Sequence, residues 1–341
     1  MPRHPTDVTA SAIPAAAAQS ARRARLKAAL AWVLGLVLLG WLLRLTPWHE
    51  ALAALARPSA AIWLATLAGL LGSYALRAAR LQVVLDLDHH HAPPRRWLGL
   101  RTDALRVILM HNAAVNLLPM RAGELSFPWL ASRELGYPVT RAVACLLWMR
   151  LQDLTVLVAL GLALWPGLPW GWRAAGLVAT VLGWRLLTWS LGRWFASHPD
   201  TVNVTGWRSH LVRVRHALLE PAHHRPAAWL LTLANWSLKL AAGATLLAAI
   251  STAPWLHAWA GALGGELAAI VPLQGPAGFG TYEAGVWAGM ATGLPQGSAA
   301  LSQAISAALA LHVCFLICAV LAGLMALALS RLNAPRHDPL K

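Results

Sequence analysis

The sequence predicts an all-α polytopic membrane protein, with about six full transmembrane helices and two re-entrant helical hairpins arranged as an inverted repeat. Three observations predict it. Of the 341 residues, 58% are hydrophobic and only 12% are charged, with a mean hydropathy of +0.54, a balance that belongs to membrane proteins rather than soluble domains. Several apolar runs approach the ~20 residues needed to cross a bilayer core. Two of the apolar stretches break at a proline and resume after a Gly-containing polar segment that closes on a glutamate.

Residues 1–20 are rich in Ala, Pro, Ser and Thr and read as a disordered tail. Arg22, Arg23, Arg25 and Lys27 then precede the apolar run 28–43, taken as an uncleaved first span because no small-residue cleavage site follows. Residues 60–76 form the second span. Arg77, Arg80, Arg95, Arg96 and Arg101 follow it and read as a cytoplasmic loop. That loop carries Asp86, Asp88 and His89-His90-His91, a cluster able to hold a divalent metal but also readable as a solvated surface.

Residues 104–118 are apolar, Pro119 breaks them, and 125–131 is a shorter semi-apolar piece. Spans follow at 143–165 and 174–191. The loop 193–227 is again basic. Residues 227–250 form a span that includes Lys239. Residues 255–271 lead into the second break, 282–292 is a short apolar piece, and 299–329 is the final span. Arg331, Arg336 and Lys341 close the chain. The 19 tryptophans often sit near run ends, as interfacial anchors do.

Parity of the basic loops gives the hairpins. Loops 77–101 and 193–227 both read as cytoplasmic, and spans 143–165 and 174–191 use up one excursion between them. The segment 104–138 must therefore begin and end on the same side. Residues 255–293 hold no Lys or Arg, which suits entry from the opposite side. The domain division that follows is a basic tail at 1–27, a transmembrane domain at 28–330 and a tail at 331–341. Its repeats are about 60–165 and 227–329. Gly136-Tyr137-Pro138 and Gly293-Leu294-Pro295 punctuate the two hairpins alike.

Ionisable groups inside apolar runs cost several kcal/mol each, ~3 on insertion scales, unless paired or hydrated. Arg121 and Glu124 flank the first break. Arg150 and Asp153 lie three apart on one helix face and can pair locally. Glu266 and Glu283 flank the second break, with Lys239 and His312 in neighbouring spans. One reading is a midplane polar cavity in which Gly123, Gly278 and Gly280 let half-helices present their amino ends to a phosphate, assisted by Arg121 and Arg150, with Glu124, Asp153 and Glu283 orienting the arginines or exchanging protons. The other is that the pairs only neutralise each other and staple hairpins to neighbours. Lys239 and Glu266 read as packing or snorkelling residues, and His312 as a satisfied polar residue.

The formal charge of +15 is spread over short loops, which suits anionic headgroups and not nucleic acid. Cys145, Cys314 and Cys318 all lie in apolar runs and read as packing residues. The chain has no Gly-x-Ser-x-Gly elbow, P-loop or His-x-x-x-His pair, so no enzyme activity and no cofactor or metal is expected.

Pro119-x-Arg121-x-Gly123-Glu124, then Arg150-x-x-Asp153, then Pro276-Ala277-Gly278-Phe279-Gly280 with Glu283 resemble the transmembrane region of bacterial lysylphosphatidylglycerol synthases (multiple peptide resistance factor proteins) and their stand-alone flippase-like relatives. The resemblance covers about residues 28–330. It implies movement of a membrane lipid between leaflets, in the founding family an aminoacylated phosphatidylglycerol. It also implies an inner-membrane location and a homodimer; the basic flanks at 22–27 and 331–341 are what put both termini in the cytoplasm. Relatives act in hopanoid, glycolipid and polyprenyl-phosphate pathways, so the cargo does not carry over. No aminoacyltransferase domain accompanies this region, so synthesis of the lipid is not expected. Phe127 stands where an arginine often follows the Gly-Glu pair, and His312 where the last span often carries arginine, which turns the expectation away from a strongly anionic headgroup. The alternatives are a membrane-embedded enzyme or accessory subunit of lipid-linked glycan or hopanoid synthesis, and a lipid-binding scaffold.

Overall fold

A computed structural model of the chain describes residues 48–87, 96–118, 123–197, 224–270, 276–293 and 298–333, with isolated positions 33 and 44. The described helices are α1 (Trp48–Leu55), α2 (Ala60–Val84), α3 (Thr102–Leu117), α4 (Ser126–Leu135), α5 (Val139–Leu164), α6 (Trp170–Ser197), α7 (Pro226–Ser251), α8 (Trp255–Ala268), α9 (Thr281–Met290) and α10 (Ser298–Asn333). A two-residue antiparallel pair, Arg96–Trp97 with Leu100–Arg101, precedes α3. Five of these helices are long and apolar enough to cross a membrane: Ala60–Val84, Val139–Leu164, Trp170–Trp194, Pro226–Ser251 and Leu301–Arg331. The protein is thus an all-α polytopic membrane protein. The first predicted span at 28–43, the His89–His91 cluster and the tails lie outside the described residues.

Local sequence explains the element ends. Ser59 caps α2 by accepting from the Ile62 N–H, the usual office of a serine at that position. Pro226 opens α7, and Gly136 ends α4 in the left-handed conformation at φ 68°. Arg173 on α6 donates to the carbonyls of Ala163, Trp165 and Leu168, closing the end of α5 and the turn after it with a cation.

The contacts between elements fix two ends to the bundle. At one end Arg57 donates to the Ile250 carbonyl at 2.8 Å, joining the start of α2 to the finish of α7. At the other, Arg225 pairs with Asp86 at 2.7 Å and Arg101 donates to the Leu87 carbonyl at 2.7 Å. α2 and α7 therefore run antiparallel, packed closely where Gly69 faces Ala242 and Gly72 faces Leu238. α10 lies along α3 and α7. Trp148 of α5 meets Trp184 of α6 at 5.1 Å between ring centroids.

The segments 102–135 and 255–290 are helix–break–helix pieces. α3 has 16 residues and α4 has 10, about 24 and 15 Å at 1.5 Å per residue, each short of the ~30 Å bilayer core. Arg106 pairs with Glu134 at 2.8 Å, His111 with Ser126 at 3.1 Å, and Gly123 lies on the backbone of Ala114. These rungs make α3 and α4 antiparallel. The Tyr137 hydroxyl donates to the Leu85 carbonyl, so the segment leaves at the end where it entered. α8 and α9 repeat the design. His257 lies against Gly293, Gly261 against Met290, Gly264 against Gly285 and Gly265 against Tyr282. This second piece starts from the Ile250 end, opposite to the first. The small residues of both helices let their backbones touch, the packing mode of apolar helices in membranes.

The predicted spans 60–76 and 143–165 are met by longer helices. α2 does not stop at 76: it continues to Val84, and Arg77 and Arg80 are helical residues inside the bundle rather than loop residues. Arg80 is only 3% exposed. The reason is that both guanidinium groups find acceptors on neighbouring helices, which offsets their removal from water.

Candidate functional site

Described residues that flank the two breaks, Leu118 and Glu124 at the first and Ala277 and Gly278 at the second, line one cavity. The turn Pro276–Gly278 packs against α3. Between them, α2, α5, α7, α8 and α10 enclose a cavity of about 460 Å3. Its polar lining includes Arg77, Asn112, Glu124, Arg150, Asp153, Lys239, Glu266, Tyr282 and His312. Leu118, Leu147, Leu154 and Ile270 also line it and are exposed at the bundle surface. The cavity therefore opens sideways through an apolar rim, and not only along the helix axes.

Each carboxylate has a principal cation. Arg80 Nη1 lies 2.5 Å from Asp153 Oδ1, and its Nη2 donates to the Met149 carbonyl and to Gln152 Oε1. Trp236 Nε1 donates to the same Asp153 oxygen at 3.0 Å. Arg150 Nη2 donates to both Glu124 oxygens at 2.7 and 2.8 Å. The predicted local pair Arg150–Asp153 is present but longer, at 3.5 Å. Lys239 Nζ lies 2.7 Å from Glu266 Oε1, with the Trp236 and Phe315 rings 5.2 and 4.7 Å away. Such cation–ring contacts strengthen when desolvated.

Arg77 differs from the other cations. Its Nε donates to Asn235 Oδ1 at 3.3 Å and its Nη1 to Asn112 Oδ1 at 2.9 Å, and it lies 5.3 Å from the Trp236 ring. Its acceptors are neutral amides, and among the described residues no carboxylate lies within ion-pair distance. Since Arg80, Arg150 and Lys239 are each matched by one carboxylate, Arg77 leaves one net positive charge among the groups other than the Glu283–His312 pair. Asn112 Nδ2 and the Tyr282 hydroxyl are buried without a hydrogen-bond partner. Buried polar groups are rarely left so.

Gly123 and Glu124 follow the first break, Glu124 lining the cavity. A Cβ at Gly123 would collide with the backbone of Ala114 and Val115, so only glycine permits this turn. His111 Nε2 stands 3.8 Å from Glu124, and Phe127 packs its ring edge on His111, fully buried. Arg121, with Pro119, lies outside the described residues.

At the second break, Ala277, Gly278 and Gly280 have φ of 54°, 87° and 87°, a left-handed region open to glycine and costly for alanine. Glu283 Oε2 accepts the Gly280 N–H at 2.7 Å. The amino end of α9, expected to face a phosphate, is thus partly filled by its own carboxylate. Glu283 Oε1 lies 2.6 Å from His312 Nδ1. Glu283 is brought to His312 and not to Glu124, Arg150 or Asp153, so the predicted site residues form two separate clusters.

Sequence reasoning missed Arg77, Arg80, Asn112, Asn235, Trp236 and Tyr282. The signal for the first two was present: Arg77 and Arg80 are three apart and continue the helical register of the run before them. Asn112 and Asn235 stand as amides within otherwise apolar runs. Among the described residues no cluster of three or more His, Cys, Asp or Glu is placed to hold a metal.

The family described as Lysylphosphatidylglycerol synthase TM region matches residues 27–323. No curated protein matches the chain.

Proposed function

This chain belongs to the lysylphosphatidylglycerol synthase transmembrane-region family, and we propose from that premise that it moves a phosphate-bearing lipid between the leaflets of the bacterial inner membrane. The observation that carries this reading is Arg77: a guanidinium at the wall of a mid-bundle cavity with no carboxylate partner among the described residues. An unmatched cation at membrane depth is costly unless a ligand supplies the anion, and guanidinium binds phosphate through paired, charge-assisted bonds. Asn112 Nδ2 and the Tyr282 hydroxyl supply a further donor and a donor–acceptor for the headgroup.

The exposed leucines and Ile270 at the rim support a lipid over a water-soluble cargo. The headgroup enters the cavity and the acyl chains stay in the bilayer. A single net positive charge suits a headgroup with one phosphate, in keeping with the phenylalanine at 127 and the histidine at 312. The two helix–break–helix pieces start from opposite ends of the bundle, which supports an inverted repeat of 60–165 on 227–329 with each piece re-entrant. Movement of one tip and then the other exposes the cavity to the two leaflets in turn. Glu124, Arg150 and Gly123 serve the first tip, to which the sequence alone adds Arg121. Glu283, Gly278 and Gly280 serve the second, and Asp153 anchors the wall between. The end that carries Arg96, Arg101, Arg106, Arg133 and Arg225 faces the cytoplasm by the positive-inside rule.

The test is reconstitution into vesicles carrying a trace of head-labelled phosphatidylglycerol, with leaflet exposure read by a membrane-impermeant quencher. Wild type accelerates exposure. Arg77→Gln, which keeps a donor for Asn112 but removes the charge, slows it by roughly tenfold or more, the worth of one charge-assisted bond. Normal rates in Arg77→Gln would remove the anion site. No acceleration by wild type with any phospholipid would remove transport.

A further inference from the structure

His312 sits on α10 level with the second break, and both of its ring nitrogens face oxygen. Nδ1 is 2.6 Å from Glu283 Oε1, and Nε2 is 2.8 Å from the Ala277 carbonyl oxygen. A carbonyl oxygen only accepts, so Nε2 carries a hydrogen. A second proton must then lie between Nδ1 and Oε1. It sits on the nitrogen, as imidazolium against carboxylate, or on the oxygen, as carboxylic acid against neutral imidazole. Without it, two lone pairs face each other at 2.6 Å and one of the two contacts has to break. The pair is therefore a site for one proton, neutral when loaded and −1 when empty.

That proton holds the second tip together. Glu283 Oε2 accepts from Gly280, and His312 Nε2 donates to the carbonyl of Ala277, whose φ of 54° is costly for an alanine. The Phe279 and Tyr282 rings flank the imidazole at 4.4 and 5.0 Å. The other titratable groups around the pair are Tyr282 on its own helix, Cys314 on α10 and the Lys239–Glu266 ion pair from α7 and α8. Lys239 and Glu266 neutralise one another. α3 presents His111, which is held by Ser126 and Glu124.

We propose that Glu283 and His312 bind a coupling proton that travels with the lipid. This rests on the transport reading above. With the pair loaded, the cavity keeps the single positive charge of Arg77 and admits an anionic headgroup over a closed tip. With the pair empty, its negative charge cancels Arg77, the headgroup is no longer favoured, and the tip is released. Proton and anion thus favour each other's binding, and by linkage the effect is mutual. The balance is one proton taken up by the empty pair from the side the cavity faces, and one released on the other side.

The experiment uses the full chain in vesicles of phosphatidylcholine with labelled phosphatidylglycerol, a trapped pH dye, and potassium with valinomycin to clamp the potential. Imposed pH gradients of opposite sign should change wild-type exposure rates by roughly fivefold or more between them, the low end of measured couplings being about that size. The dye should report proton entry only when the anionic lipid is present. His312→Gln and Glu283→Gln should lose the gradient response. If wild type moves lipid at a rate that ignores the gradient, with no proton flux, coupling is overturned while transport stands. A gradient response in both variants equal to wild type overturns the assignment to this pair. If no lipid moves under any gradient, transport itself fails and coupling with it.

Discussion

Arg80 and Asp153 stand 2.5 Å apart, Nη1 to Oδ1, with Trp236 Nε1 donating to the same oxygen at 3.0 Å. The pair joins α2 to α5 and, through the indole, to α7. Both side chains are almost wholly removed from solvent. Asp153→Asn leaves Arg80 without its counter-charge, and breaking a buried pair from one side costs about 3–5 kcal/mol. The expected result is a large drop in the thermal midpoint of the purified protein in detergent. An unchanged midpoint would mean that Gln152 and the Met149 carbonyl alone satisfy Arg80.

Lys239 and Glu266 allow a cleaner test. Lys239→Met alone and Glu266→Gln alone should each destabilise, because each strands a charge. The double variant should recover most of the loss, since a buried pair replaced together is often near neutral. The double-variant cycle read by thermal unfolding gives the coupling directly. Additive losses would show that the 2.7 Å contact contributes little.

Gly123→Ala should loosen the first tip. Its Cβ has no room against the Ala114 backbone, and overpacking of this kind costs ~1–3 kcal/mol. The expected readout is faster proteolysis or faster amide exchange confined to α3 and α4. Gly183, a helical position where a Cβ meets nothing within 4 Å, gives a control.

Gly289→Leu should separate α8 from α9. Gly289 lies against the Ala260 carbonyl and the Gly261 Cα, so a larger side chain cannot fit without parting the helices. A cysteine pair placed on the facing helices should then crosslink less in the variant than in its parent. Equal crosslinking would show that the two helices do not need this close approach.

Much of this architecture was legible in the chain, and what was not has a physical cause. The hairpins followed from where basic loops fall, because charge placement records topology. Glu124, Arg150 and Glu283 stood out because charge is rare in apolar runs, and Gly123 because it follows a proline break. The partners did not: Arg80 finds Asp153 across 73 positions and Glu283 finds His312 across 29, and no local spacing encodes such meetings. The visible spacing, Arg150 to Asp153, marks the weaker contact. Arg77 and Arg80 looked like the start of a loop because hydropathy falls at 77, yet the helix runs on. A buried cation lowers hydropathy as much as a solvated one does.

The greasy rim formed by Leu118, Leu147, Leu154 and Ile270 also dictates how a blocker would have to arrive. A compound that uses this rim must first dissolve in the bilayer and approach edgewise. Its potency would then track oil–water partitioning as much as fit, and a tail-less phosphate analogue added to the buffer would compete poorly however well it matched Arg77.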